Sequence, residues 1–108
     1  MTGKFRLNFD SLDRLLKNEI LSQGKNSGVT YIIKESKTTK SLYLTLFLED
    51  QKLTMRFSDH QPSKKIRSKT IFKNTKRSFI KRLIERKINL LRIRRKKELF
   101  KKIEGDLG

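Results

Sequence analysis

The chain has no cysteine and no tryptophan, one histidine, one proline and only 11 acidic residues among 108. Without cysteine there is no disulfide framework and no thiolate metal site. A single histidine leaves too few nitrogen ligands for zinc. That histidine, His60, follows Ser58 and Asp59 directly. Sequence neighbours cannot form a Ser/His/Asp triad, whose members converge from separated positions. His60 reads instead as part of a turn in which Asp59 caps a strand end. Asp10, Asp13, Glu49, Asp50 and Asp59 show no metal-binding spacing, and no phosphate-binding loop or dinucleotide fingerprint is present. The expectation is a protein that is not an enzyme and carries no cofactor and no metal. No apolar run approaches the length of a membrane span, and MTGKFRLNFD has no signal-peptide core. A soluble, cytoplasmic protein is expected.

What the chain has in excess is positive charge: 28 Lys/Arg and a net +17. Residues 63–108 hold 18 Lys/Arg against 4 Asp/Glu, whereas residues 1–62 hold 10 against 7. A one-sided excess of this kind points to a polyanionic partner met by the C-terminal half, nucleic acid (RNA or DNA) or a nucleoprotein. The apolar share, 34%, is low for a globular protein, but the apolar residues are patterned well enough for one α+β domain. Residues 1–73 form its body, and a long basic helix spans 74–103.

Phe5, Leu7 and Phe9 alternate with polar residues, as in a short strand or extended arm. Asp10 or Ser11 then caps an N-terminal helix. Its Leu12, Leu15, Leu16 and Ile20 fall on one face, and Gly24 supplies the stop. Gly24–Gly28 reads as an exposed loop. A small antiparallel sheet of three to four strands follows. Val29–Glu35 is the first strand and Lys37–Lys40 a turn. Leu42–Glu49, apolar on both faces, is a central strand. After the turn at Glu49-Asp50-Gln51, Lys52–Ser58 alternates, with Leu53, Met55 and Phe57 inward and Thr54, Arg56 and Ser58 outward. Pro62 ends it. Ser63–Phe72 is an edge strand guarded by lysines, or a basic loop. Tyr31, Tyr43 and Phe47 could stack unpaired bases on an exposed sheet face, but core packing is the preferred reading.

The long helix opens with a cap at Asn74 or Thr75 and ends at Gly105. Leu83, Ile84, Ile88, Leu90 and Leu91 cluster around Ile80, so this half docks on the sheet. Beyond Arg92 the apolar residues Ile93, Leu99, Phe100 and Ile103 move to the opposite side. Either the helix bends near Leu91–Arg94 or its second half protrudes. The candidate partner-binding residues are Lys64, Lys65, Arg67 and Lys69 ahead of the helix, Lys81, Arg82 and Arg86 on its first half, and Arg92, Arg94, Arg95, Lys96 and Lys97 on its second. Arginine at this density suits bidentate phosphate contacts. The outer apolar stripe would serve a homodimer or a lipid surface, although it is sparse and has no Trp.

The segment SLYLTLFLEDQKLTMRFSDHQP is a strand–turn–strand unit ending in Arg56-Phe57-Ser58-Asp59-His60. It resembles small proteins of bacteriophages and mobile elements, including some type II anti-CRISPR proteins, in which a twisted sheet carries a charged helical extension. The resemblance covers about a third of the chain. It implies a Cas9 inhibitor that engages the effector or its guide RNA in a bacterial host cell, with Arg56, Asp59 and His60 at the motif turn. Many anti-CRISPR proteins are acidic DNA mimics; a net charge of +17 excludes that route. A general DNA- or RNA-binding accessory protein is the alternative expectation.

Overall fold

The computed structural model describes residues 7–58, 71–73 and 75–107. Phe5, Asp59, His60, Pro62 and Asn74, together with the cations Lys64, Lys65, Arg67 and Lys69, lie outside them.

The N-terminal helix α1 (Phe9–Leu15) is capped by Asn8, not by Asp10 or Ser11. The Ser11 amide donates to Asn8 Oδ1 and the Asn8 amide donates to Ser11 Oγ, both at 2.9 Å. Two amides that no helical carbonyl could reach are thereby satisfied. Phe9 is consequently the first helical residue and faces solvent, whereas Leu7 of the expected arm is buried. The helix widens into a π-type segment over Leu16–Ile20, closed by the Leu21 amide on the Leu16 carbonyl at 2.7 Å. Leu12, Leu15, Leu16 and Ile20 are all buried, the one face that helical spacing gives them.

Gly24 does not end this helix. The last free carbonyls are taken by side chains: Ser22 Oγ donates to Asn18, Gln23 Nε2 to Glu19 and Asn26 Nδ2 to Ile20, at 2.7–2.8 Å. Asn26 is buried in doing so and ties the 3₁₀ turn Gly24–Asn26 to the domain, while Gly24, Lys25, Ser27 and Gly28 are exposed, as expected of this loop.

The sheet runs in the order β1 (Val29–Glu35), β2 (Leu42–Leu48), β3 (Gln51–Ser58), β4 (Ile71–Phe72). The first three strands are antiparallel, with Leu44 opposite Ile33 on one side and Met55 on the other. β4 departs from the expected pattern: it is two residues long and parallel to β3. The Lys73 amide continues this pairing onto the Ser58 carbonyl at 2.8 Å, and Ser58, expected to face outward, is buried.

Both helices cover the same face of the sheet. α1 meets β1, and the C-terminal helix α2 (Arg77–Leu107) meets β2 and β3. The core is the sheet's inner face (Val29; Leu42, Leu44, Leu46 and Leu48; Met55 and Phe57) closed by the leucines of α1 and by Ile80, Ile84, Ile88 and Leu91 of α2. Tyr31 lies on the inner side at the edge of this core and donates its hydroxyl to Asp13 Oδ1. Tyr43 and Phe47 do not belong to this layer. They alternate with the buried leucines of β2, so their rings stand on the face turned away from the helices.

The first α-type bond of α2 runs from the Ile80 amide to the Lys76 carbonyl, so Lys76, not Thr75, holds the cap position and the helix starts at Arg77. It continues unbroken through Leu91–Arg94 and passes Gly105 to end at Leu107. Its 31 residues span about 46 Å. Leu91 is the last buried residue among the described side chains, and Ile93, Leu99 and Phe100 are exposed, Phe100 by 67%. The outer half projects beyond the core.

Candidate nucleic-acid interface

The cations of α2 divide by what holds them. On the α1 side, Arg77 and Lys81 both reach Glu19, with Lys81 Nζ 3.8 Å from Glu19 Oε1. On the sheet side, Arg95 pairs with Glu49 at the β2–β3 turn. Arg92 Nη1 donates to the Lys25 carbonyl at 2.7 Å, so Arg92 grips the 3₁₀ turn. Arg92 and Arg95 each keep a buried Nε with no acceptor. These residues fasten the helix to the domain. Anchoring, expected to stop at Leu91, therefore extends through Arg92 to Arg95, while Arg94 between them stays exposed.

Arg82, Arg86, Arg94, Lys96 and Lys97 are exposed and make no ion pair or hydrogen bond among the described residues. At helical spacing Arg82 and Arg86 lie one above the other on the outward side, and Lys97 continues the same stripe past Ile93. Like charges three and four residues apart repel and weaken an isolated helix. Anchoring by Ile80, Ile84, Ile88 and Leu91 lets the first half of α2 tolerate that repulsion.

Between the helix and the 3₁₀ turn is an open cleft of about 340 Å³, lined by Lys25, Arg82, Glu85, Arg86, Asn89 and Arg92. Four of these side chains are cationic and one is acidic. Glu85 is partly occupied, its Oε2 lying 3.9 Å from Lys25 Nζ. Donors from a turn and a helix thus converge on one opening. Neither Lys25 nor Asn89 was marked by the charge pattern of the helix. Lys25 reaches the cleft only through the packing of its turn, while Asn89 stands seven residues after Arg82 on the same outward face.

Arg56 is placed on β3, pointing to the sheet face opposite the helices. Its Nε and Nη2 donate to Ser41 Oγ at 3.3 and 3.2 Å, and its guanidinium carbon lies 5.9 Å from the centroid of the Tyr43 ring. The structure therefore separates Arg56 from the α2 cations by the thickness of the sheet. No three His, Asp or Glu side chains among the described residues gather into a metal-binding group.

No protein family, curated protein or solved structure matches the chain. Its activity has to be read from the charge and shape of these surfaces. Among the described residues no helix is long and apolar enough to cross a membrane.

Proposed function

We propose that this protein binds nucleic acid, free or within a nucleoprotein, through the exposed cations of α2, and that it catalyses no reaction. The observation that carries the reading is the set Arg82, Arg86, Arg94, Lys96 and Lys97: exposed cations that no carboxylate of the fold neutralises among the described residues. Phosphates would relieve their mutual repulsion and release the counterions condensed on the nucleic acid. The cleft at Arg82, Arg86, Arg92 and Lys25 would hold one phosphate in register with the helix.

The strand ending Arg56-Phe57-Ser58 and the resemblance it carries give this reading a specific setting. That setting is inhibition of a Cas9–guide RNA complex in the cytoplasm of a bacterial host, by blocking DNA loading or cleavage. A basic inhibitor would be repelled by the positively charged channel of such an effector and drawn to its exposed RNA. The alternative is an accessory protein of a phage or mobile element that binds DNA or RNA directly. Titrating labelled duplex DNA and RNA at rising salt tests the ligand class: affinity should fall linearly with salt on logarithmic axes. A flat response refutes it. Pull-down of Cas9 with and without guide RNA, followed by a cleavage assay at excess protein, tests the specific setting, and undiminished cleavage sinks it.

A further inference from the structure

The sheet face turned away from both helices is ordered in three cross-strand rows. Lys34, Tyr43 and Arg56 stand side by side in the first, Ile32, Thr45 and Thr54 in the second, and Thr30, Phe47 and Lys52 in the third. Tyr43 and Phe47 are four residues apart on β2, so their rings sit about 13 Å apart along the strand. Between them Thr45 and Thr54 hydrogen-bond across the strands at 3.0 Å, and Ile32 is 49% exposed. Each aromatic ring has a cation beside it, and none of these nine residues is acidic. Arg56 is already held near the Tyr43 ring by the buried Ser41. Aromatic rings flanked by cations on a flat face match the two requirements of an unpaired strand: a π-surface for each base, and positive charge for the backbone.

We propose that this face is a platform for single-stranded nucleic acid, with bases stacked on Tyr43 and Phe47 and phosphates met by Lys34, Lys52 and Arg56. The proposal rests on nucleic acid being the ligand class, and adds that the protein engages an unpaired segment on the opposite side from α2. A base-paired helix offers no splayed base to stack on this face, so the platform selects single strands where α2 does not.

The test uses the full chain, fluorescein-labelled oligothymidylate and a labelled blunt duplex, read by fluorescence anisotropy. Tyr43→Leu/Phe47→Leu keeps apolar bulk while removing both π-faces, with circular dichroism as the control for folding. It should bind oligothymidylate at least ~10-fold more weakly and duplex with unchanged affinity. Arg82→Gln/Arg86→Gln/Lys97→Gln should weaken binding to both. The chain has no tryptophan and only two tyrosines, so Tyr31→Phe leaves Tyr43 as the sole tyrosine, whose emission should be quenched on binding oligothymidylate. Unchanged oligothymidylate affinity in the leucine variant, or unquenched Tyr43 emission at saturation, overturns the platform and leaves the α2 reading standing. Absence of binding to either probe at low salt overturns both.

Discussion

Arg95 of α2 is ion-paired with Glu49, the first residue of the β2–β3 turn, whose backbone is left-handed at φ 54°. The pair ties the last anchored turn of the helix to the most constrained point of the hairpin. Left-handed backbone suits glycine and strains a residue with a Cβ. The turn therefore keeps a glutamate at a conformational cost, and gains a contact to the helix.

That opposition is measurable in four variants followed by urea denaturation. In an Arg95→Ala background, Glu49→Gly should raise stability by up to about 1 kcal/mol by relieving the backbone. In the wild-type background the gain should be smaller by about 0.2–1 kcal/mol, the range for a pair this exposed.

The boundary of the working part of α2 follows from the same contacts. Arg94→Ala/Lys96→Ala/Lys97→Ala should leave stability within about 0.5 kcal/mol of wild type. It should flatten the dependence of duplex-DNA affinity on salt by up to about 0.9 logarithmic units per lost phosphate contact. Arg92→Ala/Arg95→Ala should instead lower the melting temperature, because both side chains hold the domain together. A thermal scan and a salt titration on the two variants separate the roles.

Asn26 should matter more than a loop residue normally does. Its buried amide donates to the Ile20 carbonyl at 2.7 Å. Asn26→Ala should cost about 0.5–1.5 kcal/mol, because the Ile20 carbonyl loses its shorter bond and keeps only the Gln23 amide at 3.3 Å. Asn26→Asp should cost more, since a carboxylate would face a carbonyl at the negative end of the helix. Differential scanning calorimetry reads both.

The Tyr31–Asp13 contact sets a dependence on pH at each end of the scale. The Tyr31 hydroxyl, and after it Lys17 at 3.2 Å, hold the Asp13 carboxyl below its ordinary 3.8. Burial, and then the Asp13 charge, raise Tyr31 from 10.0 to about 12. The Asp13 contribution is present above 3.8 and is lost as pH falls through the lower folded value. The Tyr31 contribution is full below 10.0 and is lost as pH rises towards about 12. Between pH 10.0 and about 12, Tyr31→Phe should lose less stability than wild type, as urea midpoints compared at fixed pH will show.

Much of this was legible in the residues. The leucine alternation of β2 and the isoleucine spacing of α2 declare their buried faces, because packing selects them directly. Ile93, Leu99 and Phe100 likewise signalled, by falling out of that spacing, that the helix outruns its core. The end of α1 was not legible. Gly24 resembles a stop, yet Ser22, Gln23 and Asn26 satisfy the carbonyls, and neither these side-chain caps nor the π turn before them is announced by sequence spacing. Tyr43 and Phe47 suit a core by residue type, as aromatic residues commonly do; only the placement of both helices on one face leaves them outside. Arg92 and Arg95 carry the same charge as Lys96 and Lys97. Their different role depends on Lys25 and Glu49, distant in the chain.

β2 supplies both surfaces at once. Leu42, Leu44, Leu46 and Leu48 build the interior, while Tyr43, Thr45 and Phe47, interleaved with them, build the exterior. Deleting one residue at the start of this strand would exchange the two sets, sending the leucines to water and the rings inward. Interior and recognition surface are thus written in alternate letters of a single seven-residue word, and neither can slip without carrying the other along.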